Sequence, residues 1–389
     1  MIQAYQFLFW ISFLGITFSY VMYPLLLKLF AIGKKPNEVV YDADSLPLVS
    51  ILIAAHNEEK VIEEKLQSIF KGNYPLNKLE ILIGSDCSTD RTNAIINSLA
   101  KEHSNLKLTA FTERTGKVKI INKQADVATS PILVITDANV IFDKDTLIQV
   151  TKHFRNNEIA LVDTNMLHKG FKREGISYEE SFYIKGEVAN KYNEGVIWGT
   201  MMGPFGGCYA VRKDYFSPVP ENFLVDDFYI NMKVLEKGGK AITEIHALVY
   251  EDVSNELMEE FRRKIRIATG NFQNLFRFKH LLFRFNAISF CFFSHKVLRW
   301  KGPIFLILLY VLSFLLMGNN PIYRFAFYSE TFLLVLVPMD FLLQKTGIHI
   351  RPLRLLRHFF FMNLALFIGM LKAFGGVKTS IWEPTLRNQ

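Results

Sequence analysis

A run of 26 residues near the start of the chain, from Phe7 to Ile32, is almost entirely apolar and carries one charge, Lys28, close to its end. At a rise of 1.5 Å per residue, a helix of this length crosses a hydrocarbon core of about 30 Å. A cleaved signal peptide would have its positive charge before the apolar run and a small-residue cleavage site after it. Because Lys34 and Lys35 follow the run, we expect a retained membrane anchor whose following residues lie in the cytoplasm.

Three further apolar segments lie towards the end of the chain: Pro303–Met317, about Phe325–Leu343 and Phe359–Phe374. The first two predict a hairpin through the bilayer. The loop 344–358 and the tail 378–389 both carry basic residues, which favour the cytoplasm for each of them. The loop and the tail can both lie in the cytoplasm only if the segment between them, Phe359–Phe374, does not cross the bilayer. We therefore expect three full spans and a re-entrant or interfacial last helix, in a multi-pass protein of the inner (plasma) membrane.

The net charge of +8 is distributed unevenly along the chain. Residues 261–389 carry 18 Lys and Arg against three Asp and Glu, whereas residues 1–260 have a net charge of −7. In the stretch 261–301 basic residues are interleaved with phenylalanines, a composition typical of helices that lie in the headgroup layer. This pattern predicts contact with a phospholipid membrane and argues against a nucleic acid as partner.

The three cysteines, Cys87, Cys208 and Cys291, are far apart and show neither a Cys-x-x-Cys pair nor the spacing of a zinc site. An odd count at such spacings indicates no disulfide framework. A reducing compartment fits this usage and agrees with a cytoplasmic location of the residues after the anchor.

The region between the apolar segments alternates short β-branched runs with amphipathic helical patterns. Four runs, about 25–30 residues apart, predict buried strands: Val49–Ala55, Glu80–Asp86, Leu106–Thr112 and Pro131–Asn139. This rhythm predicts a parallel, doubly wound sheet whose ligand crevice lies at the carboxyl ends of the strands. The polar residues that end the strands are therefore the first candidates for a site.

Polar clusters follow three of these strands. The first strand runs into Asn57 and Glu58, and the second ends at Asp86; capping of the next helix is an alternative to ligand binding for both clusters. The fourth strand delivers Asp137 and Asn139, and we expect both side chains on the same side because side chains alternate along a strand. Two oxygen ligands on one side suit a hard divalent cation.

Seven segments, taken in chain order, match a known family. They are Pro47–Glu59, Tyr74-Pro75, Glu80–Thr92, Arg114–Lys117, Thr136–Asn139, Gly203–Arg212 and Val225–Asp227. With a membrane anchor before them and apolar helices after them, the chain closely resembles family-2 glycosyltransferases of the bacterial envelope and exopolysaccharide type, which have a GT-A fold. The resemblance implies an α/β catalytic domain, Rossmann-like and doubly wound with a mixed sheet, between N-terminal and C-terminal transmembrane helices.

The same resemblance implies domain boundaries and partners. The boundaries are 1–35 for the transmembrane anchor, 46–258 for the GT-A domain, 259–301 for basic interfacial helices, 302–376 for membrane helices and 377–389 for a tail. The implied donor is a nucleotide sugar, with UDP-hexose or UDP-N-acetylhexosamine favoured and GDP-mannose also open, and the implied cofactor is Mg²⁺ or Mn²⁺. The implied acceptor is a lipid-linked saccharide or a growing glycan, and the implied partners extend to subunits of a polysaccharide export system.

Carried over residue by residue, the resemblance places seven residues at the nucleotide: Ala55, His56, Asn57, Glu58, Asp86, Lys117 and Asp137. Asp86 would contact the base, and Lys117 stands where the family has a basic residue near the nucleotide. Asp137 occupies the first position of the family's Asp-x-Asp metal motif, and Asn139 replaces its second aspartate. This replacement removes a charge, so the ion should bind more weakly and rely more on the diphosphate.

The resemblance also assigns a catalytic base. Asp227 occupies that position, before a helix expected over about Tyr229–Lys237; a carboxylate there takes the proton of the attacking hydroxyl. Its neighbour Asp226 would raise the pKa of the base, although the pair can also act as a simple helix cap. One displacement without an enzyme nucleophile should invert the anomeric configuration. Further support of the donor and acceptor is expected from Gly206, Gly207, Arg263 and Arg266.

Processive members of the family carry a Gln-x-x-Arg-Trp motif, of which this chain retains Arg266 but has Arg263 and Ile267 at the other two positions. An aliphatic side chain lacks the flat π face on which a sugar ring packs. We therefore expect one or a few sugars per encounter, with a processive polysaccharide synthase as the alternative. Trp300 lies further along and is another aromatic candidate for stacking. A membrane channel or flippase subunit with a nucleotide-binding domain is a more distant alternative, disfavoured by the few charges in the apolar segments.

Overall fold

The computed structural model describes residues 1–37, 45–169, 177–252, 257–348 and 350–377. Its α-helices are α1 Ile2–Thr17, α2 Tyr23–Phe30, α3 Ile62–Phe70, α4 Thr92–Glu102, α5 Lys117–Val127, α6 Thr146–Thr151, α7 Ser177–Trp198, α8 Asp226–Glu236, α9 Leu257–Phe278, α10 Ala287–Cys291, α11 Leu298–Trp300, α12 Gly302–Leu316, α13 Pro321–Lys345 and α14 Arg351–Phe374. Its strands are β1 Val49–Ala55, β2 Leu79–Asp86, β3 Leu106–Phe111, β4 Ile132–Asp137, β5 Ile141–Phe142, β6 Ile159–Lys169, β7 Cys208–Arg212 and β8 Lys240–Asp252.

The strands form one mixed sheet in the order β3-β2-β1-β4-β7-β6-β8-β5. The four expected strands are confirmed within two residues at each end and pair in parallel. β7 then runs antiparallel to both β4 and β6, while β6 and β8 are parallel. The expected α/β architecture with a mixed, doubly wound sheet is therefore confirmed.

Both faces of the parallel half of the sheet are covered. All seven residues of β1 are buried, and alternate ones belong to different cores: Leu52 and Ala54 to one, Ile51 and Ile53 to the other. A strand buried on both faces favours apolar residues at nearly every position, which explains why six of the seven residues of β1 are apolar; the seventh, Ser50, donates to Glu80 Oε2 at 2.6 Å. The carboxyl ends of β1, β2 and β4 remain as the polar edge of this layer.

Three helices begin at other residues than the sequence pattern suggested. α3 begins at Ile62, so Asn57 is not its N-cap, and the capping interpretation of Asn57 is wrong. α4 begins at Thr92, whose N–H donates to Asp90 Oδ1 at 3.0 Å, so the residues directly after Asp86 do not cap it. α8 begins at Asp226, three residues earlier than expected. Carboxylates in the first turn of a helix are favourable because they face its free N–H groups.

The apolar segments form helices that meet the length and composition of membrane spans. α1 and α2, joined by a π-helical turn at Phe18–Met22, make one such helix over Ile2–Phe30, and α13 and α14 are two more. α12 meets the test only together with the segment Ala287–Trp300, to which it is bent by 58°. α14 begins at Arg351, eight residues before the expected start, and is long enough to cross, so its re-entrant placement stays a prediction. The tail from residue 378 lies outside the described residues.

α9 links α14, one of the candidate membrane spans, to the sheet domain. On one side it packs along α14, where a Cβ at Gly369 would lie 2.9 Å from the backbone of Ile265 and Thr269. On the other side Asn274 Nδ2 donates to the Val225 carbonyl at 3.0 Å. Gln273 Oε1 accepts from the Leu224 N–H at 3.1 Å. α9 therefore holds the turn that precedes Asp226 and Asp227.

Candidate active site

One lysine joins carboxylates that come from two different elements. Lys117, the first residue of α5, has its Nζ 2.6 Å from Asp137 Oδ1 at the end of β4 and 3.9 Å from Asp226 Oδ2 at the start of α8. Burial alone would lower the pKa of Lys117, but attraction to Asp137 and Asp226 outweighs it, and the net pKa is raised. The side chains of Lys117 and Asp137 are 22% and 34% exposed, so both remain open to a ligand.

Asp227 lies in this cluster and holds its proton unusually tightly. Burial and then the charge of Asp226 raise its pKa to about 7. Asp226 is itself buried, and its Oδ2 accepts no hydrogen bond from the described residues. A carboxylate with a pKa near the ambient pH is a better proton acceptor than an ordinary aspartate.

The glycine-rich segment 203–207 approaches Asp227 directly. A Cβ at Gly206 would lie 2.7 Å from Asp227 Oδ2, and Gly203 has a left-handed φ of +80°. The Gly207 carbonyl accepts from the Asp137 N–H and from Thr136 Oγ1, both at 2.9 Å. Glycine is thus required here for close approach between the segment and the acidic turn.

Two buried carboxylates that the sequence analysis missed brace this glycine-rich segment. Asp163 Oδ1 accepts from the Phe205 N–H, and Asp163 Oδ2 pairs with Lys191 Nζ, both at 2.6 Å. Glu194 Oε2 accepts from the Met202 N–H at 2.9 Å. The spacing of Glu187, Lys191 and Glu194, four and three residues apart on α7, is the signal that would have found this charged helix face.

Glu194 also connects the segment to α2, which is part of the first candidate membrane span. Its Oε1 accepts from Tyr23 Oη of α2 at 2.7 Å and lies 2.6 Å from Nδ1 of His295. Tyr23, Glu194 and His295 are fully buried. His295 contacts Glu187 through Nε2 at 2.9 Å, and Arg299 contacts the same carboxylate at 2.8 Å. Polar and charged side chains of α2, of α7 and of the helical segment after α9 therefore contact one another in one buried cluster.

The expected nucleotide loop is built around a buried aspartate. Asp86 accepts from Arg114 Nε at 3.1 Å, from the Gly116 N–H at 3.2 Å and from the Thr115 N–H. His56 Nδ1 lies 2.7 Å from the Asp86 carbonyl and Nε2 2.9 Å from Arg114. In this structure Asp86 thus organises the segment 114–116, and its contact with a base stays a prediction.

The other three residues of the expected nucleotide loop, Ala55, Asn57 and Glu58, lie at the end of β1 and in the segment before α3. Ala55 is fully buried at the end of β1. Asn57 has a φ of +52°, its Oδ1 accepts from the Thr89 N–H at 2.8 Å, and the Glu58 N–H donates to Thr92 Oγ1 at 2.9 Å. These contacts tie the end of β1 to the loop before α4.

The expected metal ligands lie on a turn, because β4 ends at Asp137. The alternation of side chains along a strand therefore does not extend to Asn139, and that reason for pairing the two residues is wrong. Asn139 is buried and its Nδ2 donates to Glu251 Oε1 at 3.1 Å. Lys65, fully buried, donates to Thr136 Oγ1 at 2.9 Å and to the Val140 carbonyl, on either side of the turn. Within the described ranges, no group of three or more His, Cys, Asp or Glu side chains is arranged to hold a metal ion.

The two arginines of the partial motif have different surroundings on α9. Arg263 Nε pairs with Glu260 Oε2 of its own helix at 2.9 Å. Arg266 forms no ion pair with the described residues and lines a cavity of about 490 Å³. Trp198 packs against Phe30 and Phe290, with ring centroids 5.9 Å apart in each case, so it joins the anchor to the domain.

Comparison with known proteins bears on the family of the chain, and the roles of single residues stay predictions. Residues 50–219 match the family model "Glycosyl transferase family 2". A β-monoglucosyldiacylglycerol synthase of Nostoc sp. is 26% identical over 286 residues, which cover 69% of this chain and 57% of that protein. A poly-β-1,6-N-acetyl-D-glucosamine synthase of Staphylococcus aureus is 27% identical over 128 residues, 33% of this chain and 30% of that protein. The chain thus spans little more than half the length of the first of these relatives.

A solved structure agrees with the fold over nearly the whole chain. It is the mannosyltransferase PcManGT from Pyrobaculum calidifontis in complex with GDP-Man and Mn²⁺, with a TM-score of 0.68, 23% identity and coverage of 94% of this chain and 99% of that one. At this identity the likeness concerns the fold. Family match and fold together identify residues 50–219 as a glycosyl transferase family 2 domain, in a chain whose fold is like that of a GT-A glycosyltransferase.

Proposed function

We propose that this enzyme is an inverting hexosyltransferase that moves a sugar from a nucleotide sugar to a lipid-linked or polysaccharide acceptor at the cytoplasmic face of the plasma membrane. The observation that carries the proposal is Asp227, whose carboxylate has a pKa raised to about 7 and lies against Gly206 beside the Lys117–Asp137 pair. A base of this strength, an accessible cation and a close backbone approach are the groups that a glycosyl transfer needs.

In the proposed mechanism the chain's own groups divide the work between donor and acceptor. The nucleotide lies against the loop 55–58 and the segment 114–117, with Lys117 near its phosphates. Asp227 accepts the proton of the acceptor hydroxyl as that oxygen attacks the anomeric carbon from the side opposite the leaving diphosphate. Because the bond to the diphosphate breaks as the new bond forms, the anomeric configuration inverts.

The donor set fits a divalent cation, Mg²⁺ or Mn²⁺. Asp137 is accessible, and the buried Oδ2 of Asp226 lacks a hydrogen-bond donor among the described residues. Asp137 and the amide oxygen of Asn139 would hold the ion, with the diphosphate as the remaining ligand. The ion would stabilise the negative charge that develops on the leaving diphosphate. The neutral Asn139 makes this set a weaker binder than two aspartates.

The acceptor and the number of sugars added are part of the same proposal. The apolar helices and the basic α9 support an acceptor at the membrane. Trp300, the other aromatic candidate for stacking on a sugar, is buried against Phe228 and Phe292. With Ile267 at the stacking position, transfer of one or a few sugars is favoured. A processive synthase remains the second candidate, because one relative is named a polymer synthase.

The test is a donor panel on the purified full-length chain. UDP-glucose, UDP-N-acetylglucosamine, UDP-galactose and GDP-mannose are offered with a labelled lipid-linked saccharide, with and without Mn²⁺, and nucleoside diphosphate release and product size are measured. One donor should support transfer to short products with inverted configuration. Absence of release with every donor would refute hexosyl transfer from these sugars, and long polymer on a few acceptors would favour the processive alternative.

A further inference from the structure

A lysine occupies one position on the apolar face of α3. The buried residues of this helix are Ile62, Lys65, Leu66 and Ile69, which have the spacing of a single helix face. Three of the four are aliphatic, as expected of a face that packs on a sheet, and Lys65 is 0% exposed among them. A lysine is almost never fully buried unless its amino group has a partner. The position therefore directs attention to what this amino group contacts.

The amino group of Lys65 lies at the turn 137–139, which carries the proposed metal ligands. Its Nζ donates to Thr136 Oγ1 at 2.9 Å and to the Val140 carbonyl, and these two residues directly precede and follow the turn. Nζ also lies 3.5 Å from the centre of the Phe142 ring, a favourable position for a cation. Because the two hydrogen bonds bracket the turn, one side chain fixes both of its ends.

Thr136 connects Lys65 to the glycine-rich segment. Its Oγ1 accepts from Lys65 Nζ and donates to the Gly207 carbonyl at 2.9 Å. The Asp137 N–H donates to the same carbonyl at 2.9 Å. The residue before Gly207 is the one at which a Cβ would lie 2.7 Å from the carboxylate of Asp227. Lys65 is therefore the first member of a chain of contacts that joins the turn of Asp137 to the segment beside the proposed base.

The charge of Lys65 has no carboxylate in contact with it among the described residues. Burial lowers the pKa of Lys65 to about 7, and attraction to Asp137 opposes this shift only in part. A buried charge held in this way contributes little to stability, since a methionine of similar length would fill the same space. A buried group whose pKa is displaced this far indicates a role in a nearby site.

We propose that Lys65 is a positioning residue for the proposed metal-binding turn. By holding Thr136 and Val140 it keeps Asp137 and Asn139 in a fixed relative position and ties their turn to the glycine-rich segment. The part played by the ion rests on the glycosyl transfer proposed above, whereas the hold of Lys65 on the turn does not. Groups that orient metal ligands from outside typically change the affinity for the ion by ~10–100-fold when they are replaced.

The test measures binding of Mn²⁺ to the full-length chain in detergent, with saturating UDP or GDP present, so it does not depend on turnover. Lys65→Met keeps the length of the side chain and removes its amino group, and should raise the dissociation constant for Mn²⁺ by ~10–100-fold. The thermal unfolding midpoint should change little, because the variant loses a buried charge together with its hydrogen bonds. Without metal, hydrogen exchange of the segments 136–142 and 203–208 should become faster, because Thr136 and Val140 lose the group that holds them.

A matched pair at Thr136 leaves Lys65 in place and decides the question if Lys65→Met does not fold. Thr136→Val removes the hydroxyl that accepts from Lys65 and should also weaken Mn²⁺ binding. Thr136→Ser keeps the hydroxyl and should keep the affinity within about twofold. Lys71→Met, at an exposed lysine directly after α3, is the control and should change neither the affinity nor the exchange.

Unchanged Mn²⁺ affinity in Lys65→Met would overturn the proposal, and so would an equal loss in Lys71→Met or in Thr136→Ser. Absence of Mn²⁺ binding to the parent chain with either diphosphate would refute the role of the ion in the proposed function. In that case faster exchange of the segment 136–142 in Lys65→Met would still support the hold of Lys65 on the turn, and unchanged exchange would overturn it.

Discussion

Two lysine–aspartate pairs flank the glycine-rich segment and have the same N–O separation of 2.6 Å, yet they differ in exposure. The side chains of Lys117 and Asp137 are 22% and 34% exposed, whereas those of Lys191 and Asp163 are 6% and 0% exposed. Asp163 also accepts the Phe205 N–H, and Lys117 instead faces a second carboxylate, Asp226.

The difference separates a reactive pair from a structural one. A buried ion pair that also fixes backbone cannot exchange its partner without leaving a desolvated charge behind. An accessible pair loses little when a phosphate or a cation replaces one member, because water screens the charge that is released. We therefore expect changes in the first pair to affect activity and changes in the second to affect stability.

The largest expected effect is on the accessible pair. Asp137→Ala should abolish metal-dependent transfer, because it removes the one charged ligand proposed for the ion, while the thermal unfolding midpoint should change little. Asn139→Asp should tighten metal affinity by restoring a charge. Both are read from nucleoside diphosphate release against Mn²⁺ concentration. Turnover of the parent enzyme that persists with a chelator would contradict this role of Asp137.

Asp227→Asn should lower turnover by a factor on the order of 10²–10⁴, the usual contribution of a positioned base. Nucleotide binding should remain nearly intact, since Asp227 is proposed to act on the acceptor. The matched control is Asp214→Asn, an exposed carboxylate at the start of a short turn after β7. Turnover is measured at saturating donor, and equal rates for parent and variant would remove Asp227 from that role.

The comparison of the two pairs is tested directly by one substitution in each. Lys191→Met should cost ~3–5 kcal/mol because it leaves Asp163 buried and unpaired. Lys117→Met should cost less than Lys191→Met, because Asp137 stays hydrated and Asp227, with its raised pKa, can hold a proton beside Asp226, but it should weaken nucleotide binding. Thermal unfolding in detergent reports the first effect, with the exposed Lys185→Met on the same helix as control. Equal losses of stability in the Lys191 and Lys117 variants would end the distinction.

The smallest effect is a pH dependence. Asp227 must be ionised to accept a proton, and its pKa is raised to about 7, so turnover should rise up to tenfold per pH unit below 7 and level off above it. A raised carboxyl pKa also means that the folded state holds this proton more tightly than the unfolded chain does. The stability it contributes is present at low pH and is lost as pH rises towards 7. Asp227→Asn should abolish this loss, which parallel unfolding series at pH 5 and pH 8 would reveal.

The two halves of the sheet differ in how far sequence predicts them. β1 is apolar at six of its seven positions, and β2 to β4 each contain a short apolar, β-branched run, so all four could be placed within two residues. β6 and β8 were not predicted, because they mix polar and apolar residues and their pairing carries register shifts at Ile159/Leu161 and Asp163/Asn165. Irregular pairing breaks the alternation on which strand prediction depends.

The site shows the same division. Lys117, Asp137 and Asp227 stand in segments whose residue order is itself distinctive, and the structure brings Lys117 to Asp137 and Asp226. Asp163 and Lys65 stand in no recognisable local pattern, Glu194 shows only the helical spacing of α7, and the function of all three as braces depends on partners far away in the chain. Glu194 and Tyr23, for example, are separated by 171 positions. No short-range rule can reveal a contact of that kind.

The junction of Tyr23, Glu194 and His295 bears on how this protein can be handled. Removal of residues 1–30 to obtain a water-soluble enzyme would take away the hydroxyl that donates to Glu194, and the carboxylate that holds the Met202 N–H would lose one of its buried partners. In such a shortened, water-soluble protein the glycine-rich segment would be held less firmly than in the intact chain. Its low activity would then be a property of the missing helix rather than of the absent bilayer, and only the intact chain in detergent or lipid can tell the two apart.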